Sequence, residues 1–366
     1  MHYEVGPEAT KFTNKFLAAH YAGSKNLDMR FNLYDAAFDS ADWSRDPSFT
    51  WNQLLDIRAR QIEAKNQPIV LYFSGGTDSY TVYKVFERNR IPLAAIYIRV
   101  RPDNAEGSWD KVYELFDSGL YDSNTKLIID DNHTKSLVTA YDSPDWMWEG
   151  RLRQLFGMIG ADGYTHDCVR SALGRDDFIS VIGYEKPRLK ITEDAVYSYQ
   201  DDDSYAKVLS IPGMDCFYIS PELPELHIKQ SYMLLNYIKS KGKPGATSKD
   251  FLMYNQIHSG LFDWLGYSLD GCGRFGDLNL SHLQHQENAQ TAMALPASGR
   301  FDGSEVSGRP AKWFQDFYKT NKDAFNNFTN GYMSLITDTA GKFLLQDTKN
   351  IFNLKHFYSK MYQMTF

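Results

Sequence analysis

Pro68-Ile69-Val70-Leu71-Tyr72-Phe73-Ser74-Gly75-Gly76-Thr77-Asp78-Ser79 is the stretch from which the rest of the chain is read. Its first residues, Pro68 to Phe73, form a short continuous apolar run, the pattern of a strand buried on both faces. The residues from Ser74 to Ser79 are small, polar and glycine-containing. Beyond them, Tyr80 to Arg90 carries Val82, Val85 and Phe86 at helical spacing. A buried strand, a glycine-rich turn and an amphipathic helix in that order open a strand-helix-strand unit.

The alternation continues on both sides. Upstream, Leu54, Leu55, Ile57 and Ile62 fall on a helical stripe that begins near Trp51. Downstream come a second apolar run from Pro92 to Val100, a helix candidate at Ser108 to Phe116, a third strand at Lys126 to Ile129 and a fourth at Phe178 to Ile182. Strands and helices in alternation mean parallel strands joined by right-handed crossovers. The expected fold is α/β: an open, mostly parallel twisted sheet with helices on both faces, plus a helical C-terminal region.

Three regions are expected. Residues 1–50 read as a packed N-terminal extension whose Asp35 to Asp46 segment is rich in turn and capping residues. Residues 51–235 form the α/β domain and residues 236–366 a mostly helical remainder. Ser220 to Ser240 begins with turn residues and becomes a helix with Ile228, Tyr232, Leu235 and Ile238 on one face, while 239–250 and 296–310 read as loops.

Composition narrows the classes. The chain has 366 residues, 43% hydrophobic and 23% charged, as ordinary globular proteins do, and its charge is 39 − 46 = −7. That balance argues against a broad basic surface, though not against a local one, and does not suggest a nucleic-acid groove; a small-molecule substrate is expected. No apolar run reaches the roughly 18–20 residues of a membrane span. The start lacks a basic stretch followed by an apolar core, so a cytoplasmic, unprocessed protein is expected. Cys168, Cys216 and Cys272 are far apart and make no CxxC pair. They read as buried thiols or, if they converge in space, as ligands of one iron–sulfur cluster.

The turn from Ser74 to Ser79 occupies the place where an open α/β sheet puts a ligand site. Two adjacent glycines let the backbone bend sharply with its amides inward, and the start of the next helix adds the positive end of its dipole. Together these suit pyrophosphate. Ser74, Thr77 and Ser79 can donate hydroxyl hydrogen bonds to phosphate oxygens, and Asp78 can hold a magnesium ion or brace the loop. The alternative is a plain strand-to-helix turn with an Asp or Ser cap.

In this setting SGGTDS resembles the SGGxDS signature of the PP-loop, or N-type ATP pyrophosphatase, superfamily of adenine nucleotide alpha hydrolase-like proteins. That superfamily includes the synthetase domains of asparagine, GMP and NAD synthetases, tRNA-thiolating enzymes and, with SGGKDS, sulfonucleotide (PAPS) reductases. The resemblance spans roughly residues 51–235 and is specific in the loop. It implies ATP and Mg2+ as cofactors, with Ser74, Gly75, Gly76, Thr77, Asp78 and Ser79 grasping pyrophosphate while AMP passes to a substrate oxygen. Ammonia, an amine or a sulfur species would then displace AMP. It also implies that Ile98, Arg99 and Val100, at the end of the second strand, lie beside adenine. The charge developing on a departing pyrophosphate needs fixed donors rather than an acid, and loop amides with a magnesium ion on Asp78 would supply them.

A second stretch, Gly183-Tyr184-Glu185-Lys186-Pro187-Arg188, follows the fourth strand and emerges at the same edge. Gly183 is a candidate for cofactor binding, and Lys186 and Arg188 for catalytic cations facing phosphate or an anionic substrate. A glycine followed by basic residues occupies a similar place in the sulfonucleotide reductase branch. Without a ligand the same residues make a Pro-containing turn with exposed charges.

Other signals are weaker. Gly271-Cys272-Gly273-Arg274-Phe275-Gly276 matches GxGxxG without the strand or acidic partner of a dinucleotide site and reads as a loop. His282 and His285 lack a third ligand, and Asp201-Asp202-Asp203 reads as a solvated loop. His227 and Lys229 stand at the start of a helix, where a lysine is unfavourable unless it meets an anion; a substrate contact and ordinary surface chemistry are both open.

Three functions compete. One is an AMP-forming enzyme that adenylates an oxygen for displacement by ammonia or an amine. Met1-His2 offers no cysteine nucleophile for a glutaminase, so ammonia would come free or from a donor protein. The second is sulfur transfer or sulfonucleotide reduction, but the final residues after Cys272 hold no cysteine for the reductase branch's C-terminal motif. The third is a non-catalytic adenine-nucleotide-binding protein. A homo-oligomer and a sulfur-donor protein are the other partner arrangements considered.

Overall fold

The computed structural model describes residues 1–13, 15–73, 77–99, 119, 122–130, 163–183, 187–191, 195–200, 211–240 and 359–365. Strands are β1 (His2–Val5), β2 (Thr10–Phe12), β3 (Met29–Asn32), β4 (Ile69–Phe73), β5 (Ala95–Arg99), β6 (Lys126–Asp130), β7 (Ile179–Ile182), β8 (Arg188–Ile191), β9 (Val196–Tyr199), β10 (Met214–Cys216) and β11 (Tyr362–Met364). Helices are α1 (Lys15–Lys25), α2 (Asp35–Asp39), α3 (Trp51–Glu63), α4 (Thr77–Arg88), α5 (Gly163–Leu173) and α6 (Pro224–Ser240).

The centre is a five-stranded parallel sheet in the order β10-β7-β4-β5-β6. Every residue of β4 is buried, as its continuous apolar run requires. Counted along the chain from β4, the strands lie in the spatial order 3-2-1-4-5, so the direction of winding reverses between β4 and β7. The register places Phe73, Ile98 and Ile129 on one face, and Tyr72, Tyr97 and Ile128 on the other. On the first face Phe73 meets Tyr80 and Tyr83 of α4. On the opposite face Lys126 of β6 donates to the Ala172 carbonyl of α5. Helices therefore cover both faces, as expected for this fold class.

Helix α3 starts with a capping box: Gln53 N donates to Thr50 Oγ1 at 3.2 Å and Thr50 N donates to Gln53 Oε1 at 2.8 Å. Leu54, Leu55 and Ile62 of the predicted stripe are buried, as are Arg58 and Ala59, whereas Ile57 of that stripe is only partly buried. The predicted helix at Ser108 to Phe116 lies outside the described residues.

The N-terminal region holds more order than its weak periodicity suggests. Strands β2-β1-β3 form an antiparallel sheet against which α1 packs. Residues after β7 make a second antiparallel sheet, β11-β9-β8. Within the last fifty residues, expected to be mostly helical, the described part 359–365 carries β11, a strand; the remainder lies outside the described residues.

These outer elements meet around α6. Trp43 stacks on Tyr362 with ring centroids 4.4 Å apart, and both Phe38 and Trp43 take His227 edge-on at 5.3 and 5.9 Å. Tyr232 Oη donates to the Trp43 carbonyl at 2.9 Å and accepts from Thr365 N at 3.3 Å. His227 is thus no surface histidine but 1% exposed. Lys229 answers the unfavourable charge at a helix start by bonding Asp46 Oδ1 at 2.9 Å and the Pro47 carbonyl at 3.2 Å. No helix among the described residues is long and apolar enough to cross a membrane.

Burial lowers the His227 pKa from 6.5 to about 3. Between those values the unfolded chain binds a proton that the folded one refuses, so stability present above about pH 6.5 is lost as pH falls, by ~1.4 kcal/mol per pH unit. Chemical denaturation across pH 7 to 4 should give a shallower acid slope for His227→Phe, which keeps an aromatic ring, than for the unsubstituted protein.

Candidate functional site

In parallel strands all carboxyl ends share one edge. Here that edge collects the end of β4 before residue 74, the end of β5 at Arg99, Asp130 of β6, Gly183 after β7 and the 217–219 segment after β10. Open α/β sheets bind ligands outside the carboxyl ends where the winding reverses, which in this chain is between β4 and β7. The Ser74 to Ser79 stretch leaves β4 and enters α4 at that crevice. Ser74, Gly75 and Gly76 lie outside the described residues; Thr77, Asp78 and Ser79 form the first turn of α4.

The first turn is packed tightly against β7. A Cβ on Gly183 would stand 2.8 Å from Val82 Cγ2, 3.1 Å from the Asp78 carbonyl oxygen and 3.1 Å from Ser79 Cα. Glycine is needed there for close approach, with no demand from its backbone angles. Ser79 is fully buried. From the far side of β7 the Tyr218 hydroxyl donates to the same Asp78 carbonyl at 2.9 Å. The start of α4 is therefore held by Gly183 and Tyr218 together.

Tyr218 is itself braced. Its ring lies edge-on to Phe217 at 5.3 Å and parallel to Trp51 of α3 at 6.3 Å. Behind it, Arg58 of α3 is 1% exposed and donates from Nε to the Phe217 carbonyl at 3.3 Å and from Nη2 to the Cys216 carbonyl at 3.4 Å. Its guanidinium pairs with Asp215 and with Glu222 Oε2 at 3.0 Å, and Lys65 Nζ adds a second cation on Asp215 at 2.8 Å. The buried charges satisfy one another and fasten the segment after β10 to α3.

The remaining candidates divide. Ile98 is buried and pairs in register with Phe73, the residue before the loop, on the face α4 covers. Arg99 is described through its backbone, in register with Asp130; Val100 lies outside the described residues. Lys186 also lies outside them, and Arg188 opens β8, in register with Tyr199 of the second sheet. The 271–276 loop, His282, His285, Cys272 and residues 201–203 lie outside the described residues. Cys168 is half-buried on α5 and Cys216 buried on β10. No group of three His, Cys, Asp or Glu among the described residues could hold a metal ion by itself.

Two residues at this edge escaped the sequence reading. Tyr218 sits in an apolar Cys216-Phe217-Tyr218-Ile219 run that resembles ordinary core; the only signal was its place after a short strand. Asp130 closes β6, where its Oδ2 accepts from Tyr97 Oη at 2.6 Å. Nothing in its neighbours in sequence marks it.

Compared with protein-family models and with curated proteins, the chain has no match. The PP-loop resemblance rests on the sequence motif.

Gly183→Ala should force α4 away from β7 and destabilise the protein by about 1–3 kcal/mol, read from urea unfolding. Arg58→Met should cost about 3 kcal/mol or more, because it leaves Asp215 buried with Lys65 as its nearest remaining cation. The same unfolding experiment on Arg58→Lys, which keeps the charge but not the fork, should recover only part of that loss.

Proposed function

We propose that the chain is an ATP-dependent, AMP- and pyrophosphate-forming enzyme that adenylates a substrate oxygen for displacement by ammonia or an amine. The observation that carries this reading is the coincidence of SGGTDS with the point where the winding of the sheet reverses, with α4 seated against Gly183.

The chain's own part follows from its backbone. The first-turn amides of α4 and those of the glycine loop would bind the β- and γ-phosphates, and fixed amides need little reorganisation as the bond breaks. The fit is favourable for pyrophosphate because the missing Cβ at position 183 lets the helix start reach the carboxyl edge. Asp78, in the first turn, would hold Mg2+, which when bound neutralises phosphate charge. Lys186 and Arg188 belong to the segment leaving β7 at that edge and would meet the α-phosphate or an anionic substrate.

Cys216 is a poor candidate for a sulfur nucleophile. Burial pushes the Cys216 thiol up to about 12, so it stays protonated and poorly nucleophilic at neutral pH.

The test is product analysis. Purified protein is incubated with ATP, magnesium and a small-molecule extract of its own cells, and AMP, ADP, pyrophosphate and phosphate are separated. AMP with pyrophosphate is expected, reduced at least about a hundredfold in Asp78→Ala. ADP with phosphate, or equal turnover in Asp78→Ala, would overturn the reading.

A further inference from the structure

Helix α6 buries a polar flank as well as an apolar one. His227, Gln230 and Ser231 are 1%, 0% and 0% exposed, and their spacing along the helix puts them side by side. Ser231 is satisfied: its hydroxyl donates to the His227 carbonyl at 2.9 Å and lies 2.8 Å from Ser198 Oγ of β9. The other two are not. His227 Nδ1 and both polar atoms of the Gln230 amide, Oε1 and Nε2, are buried with no hydrogen-bond partner among the described residues. A native core rarely leaves three polar atoms of one helical turn unmet. We propose that this flank of α6 holds an ordered internal water that takes His227 Nδ1 and the Gln230 amide as its partners. The inference goes beyond the nucleotide reading and does not rest on it.

The three atoms select the ligand. An amide NH2 only donates, an amide oxygen only accepts, and Nδ1 does one or the other according to the tautomer of the ring. A cation would be repelled by the first and an anion by the second, whereas a molecule that both donates and accepts suits all three. Burial holds the His227 ring neutral at ordinary pH, so it brings no charge to balance an ion. No group of three His, Cys, Asp or Glu among the described residues could hold a metal there. Water has the required chemistry and is small enough to be enclosed, with about three hydrogen bonds to buried polar groups.

The surroundings are divided in the way such a site needs. On one side the rings of Phe38 and Trp43 meet His227 at 5.3 and 5.9 Å, and the Trp43 indole N–H is already given to the Phe38 carbonyl at 2.8 Å. On the other side β9 brings the buried Ser198 next to Ser231, and Gln200 N donates to Ser359 Oγ at 2.9 Å while Ser359 N donates to the Gln200 carbonyl at 2.7 Å. The joint between α6, β9 and the segment leading into β11 is thus polar inside, where most of the core is apolar.

The test uses the full-length protein. A high-resolution crystal structure is expected to show a water within hydrogen-bond distance of both His227 Nδ1 and the Gln230 amide, and water–amide cross-relaxation in solution to show the Gln230 side-chain protons against a long-lived water. Gln230→Leu should lose that water and unfold at lower urea, because it leaves Nδ1 unmet. His227→Phe combined with Gln230→Leu should fall short of the summed losses of the two single variants, since two apolar side chains leave nothing to hydrate. A Gln230 amide bonded only to protein groups, or a water that reaches Gln230 and not His227, would overturn the proposal. So would a Gln230→Leu protein at least as resistant to urea as the unsubstituted one, which is the behaviour of a dry orphan, or losses that simply add in the double variant. Should Gln230→Leu fail to fold, the crystal structure and the water contact of the unsubstituted protein decide.

Discussion

The first turn of α4 approaches the end of β7 so closely that there is no room for a side chain between them, and much of the carboxyl edge is arranged around that contact. Val82, the Asp78 carbonyl and Ser79 all lie within 3.1 Å of the place where a Cβ on Gly183 would be. β4 and β7 are hydrogen-bonded neighbours, and the start of α4, the next described element after β4, lies over the end of β7. A side chain at position 183 would lift the helix, and with it the row of amides that a phosphate would meet. The demand on one glycine is thus transmitted to a helix start that is not its neighbour in sequence.

That contact is approached from the other side by a buried ion pair, Arg58 with Asp215, joined by the exposed Lys65. Arg58 on α3, Asp215 on β10 and Lys65 join elements that are distant in the chain, and the guanidinium uses its remaining donors on the Cys216 and Phe217 carbonyls. Buried ion pairs add little net stability when complete, yet removing one partner is expensive. Their contribution here is directional: a planar fork with fixed donors orders the short segment that presents Tyr218 to α4. The apolar core would hold the sheet together without them, but it would not set the height of one hydroxyl over one peptide.

How much of this was readable follows from the distance over which each feature is encoded. β4, β5, β6 and β7 were legible because a strand buried on both faces is a continuous apolar run, and α3 and α4 because their stripes repeat locally. The motif was conspicuous in sequence because its residues are contiguous. The N-terminal sheet was not, since β2 spans Thr10–Phe12 with no alternation to detect, and β11 was not, since it is a three-residue strand whose partner β9 lies far back in the chain. Tyr218 and Asp130 look like core and strand-end residues in sequence, and only the winding of the sheet brings them to the edge that holds the loop. Lys229 presented a charge problem at a helix start, and its solution, Asp46, was equally invisible because it comes from the N-terminal region.

The acidic balance of the chain fits this picture of a site made from backbone dipoles. A net charge of −7 opposes the arrival of a polyanion, but that repulsion is screened beyond about 8 Å in physiological salt. Affinity for phosphate then has to come from groups in direct contact, and oriented peptide amides provide it without a basic surface. Such groups are strong only if they are held still. A phosphate site of that kind would depend on rigid support behind the helix start, and the start of α4 is braced by close packing on Gly183 and by the hydroxyl of Tyr218, whose segment Arg58 holds. Magnesium arriving with a nucleotide would relieve part of the remaining repulsion, and the first turn of α4 offers it one carboxylate, Asp78.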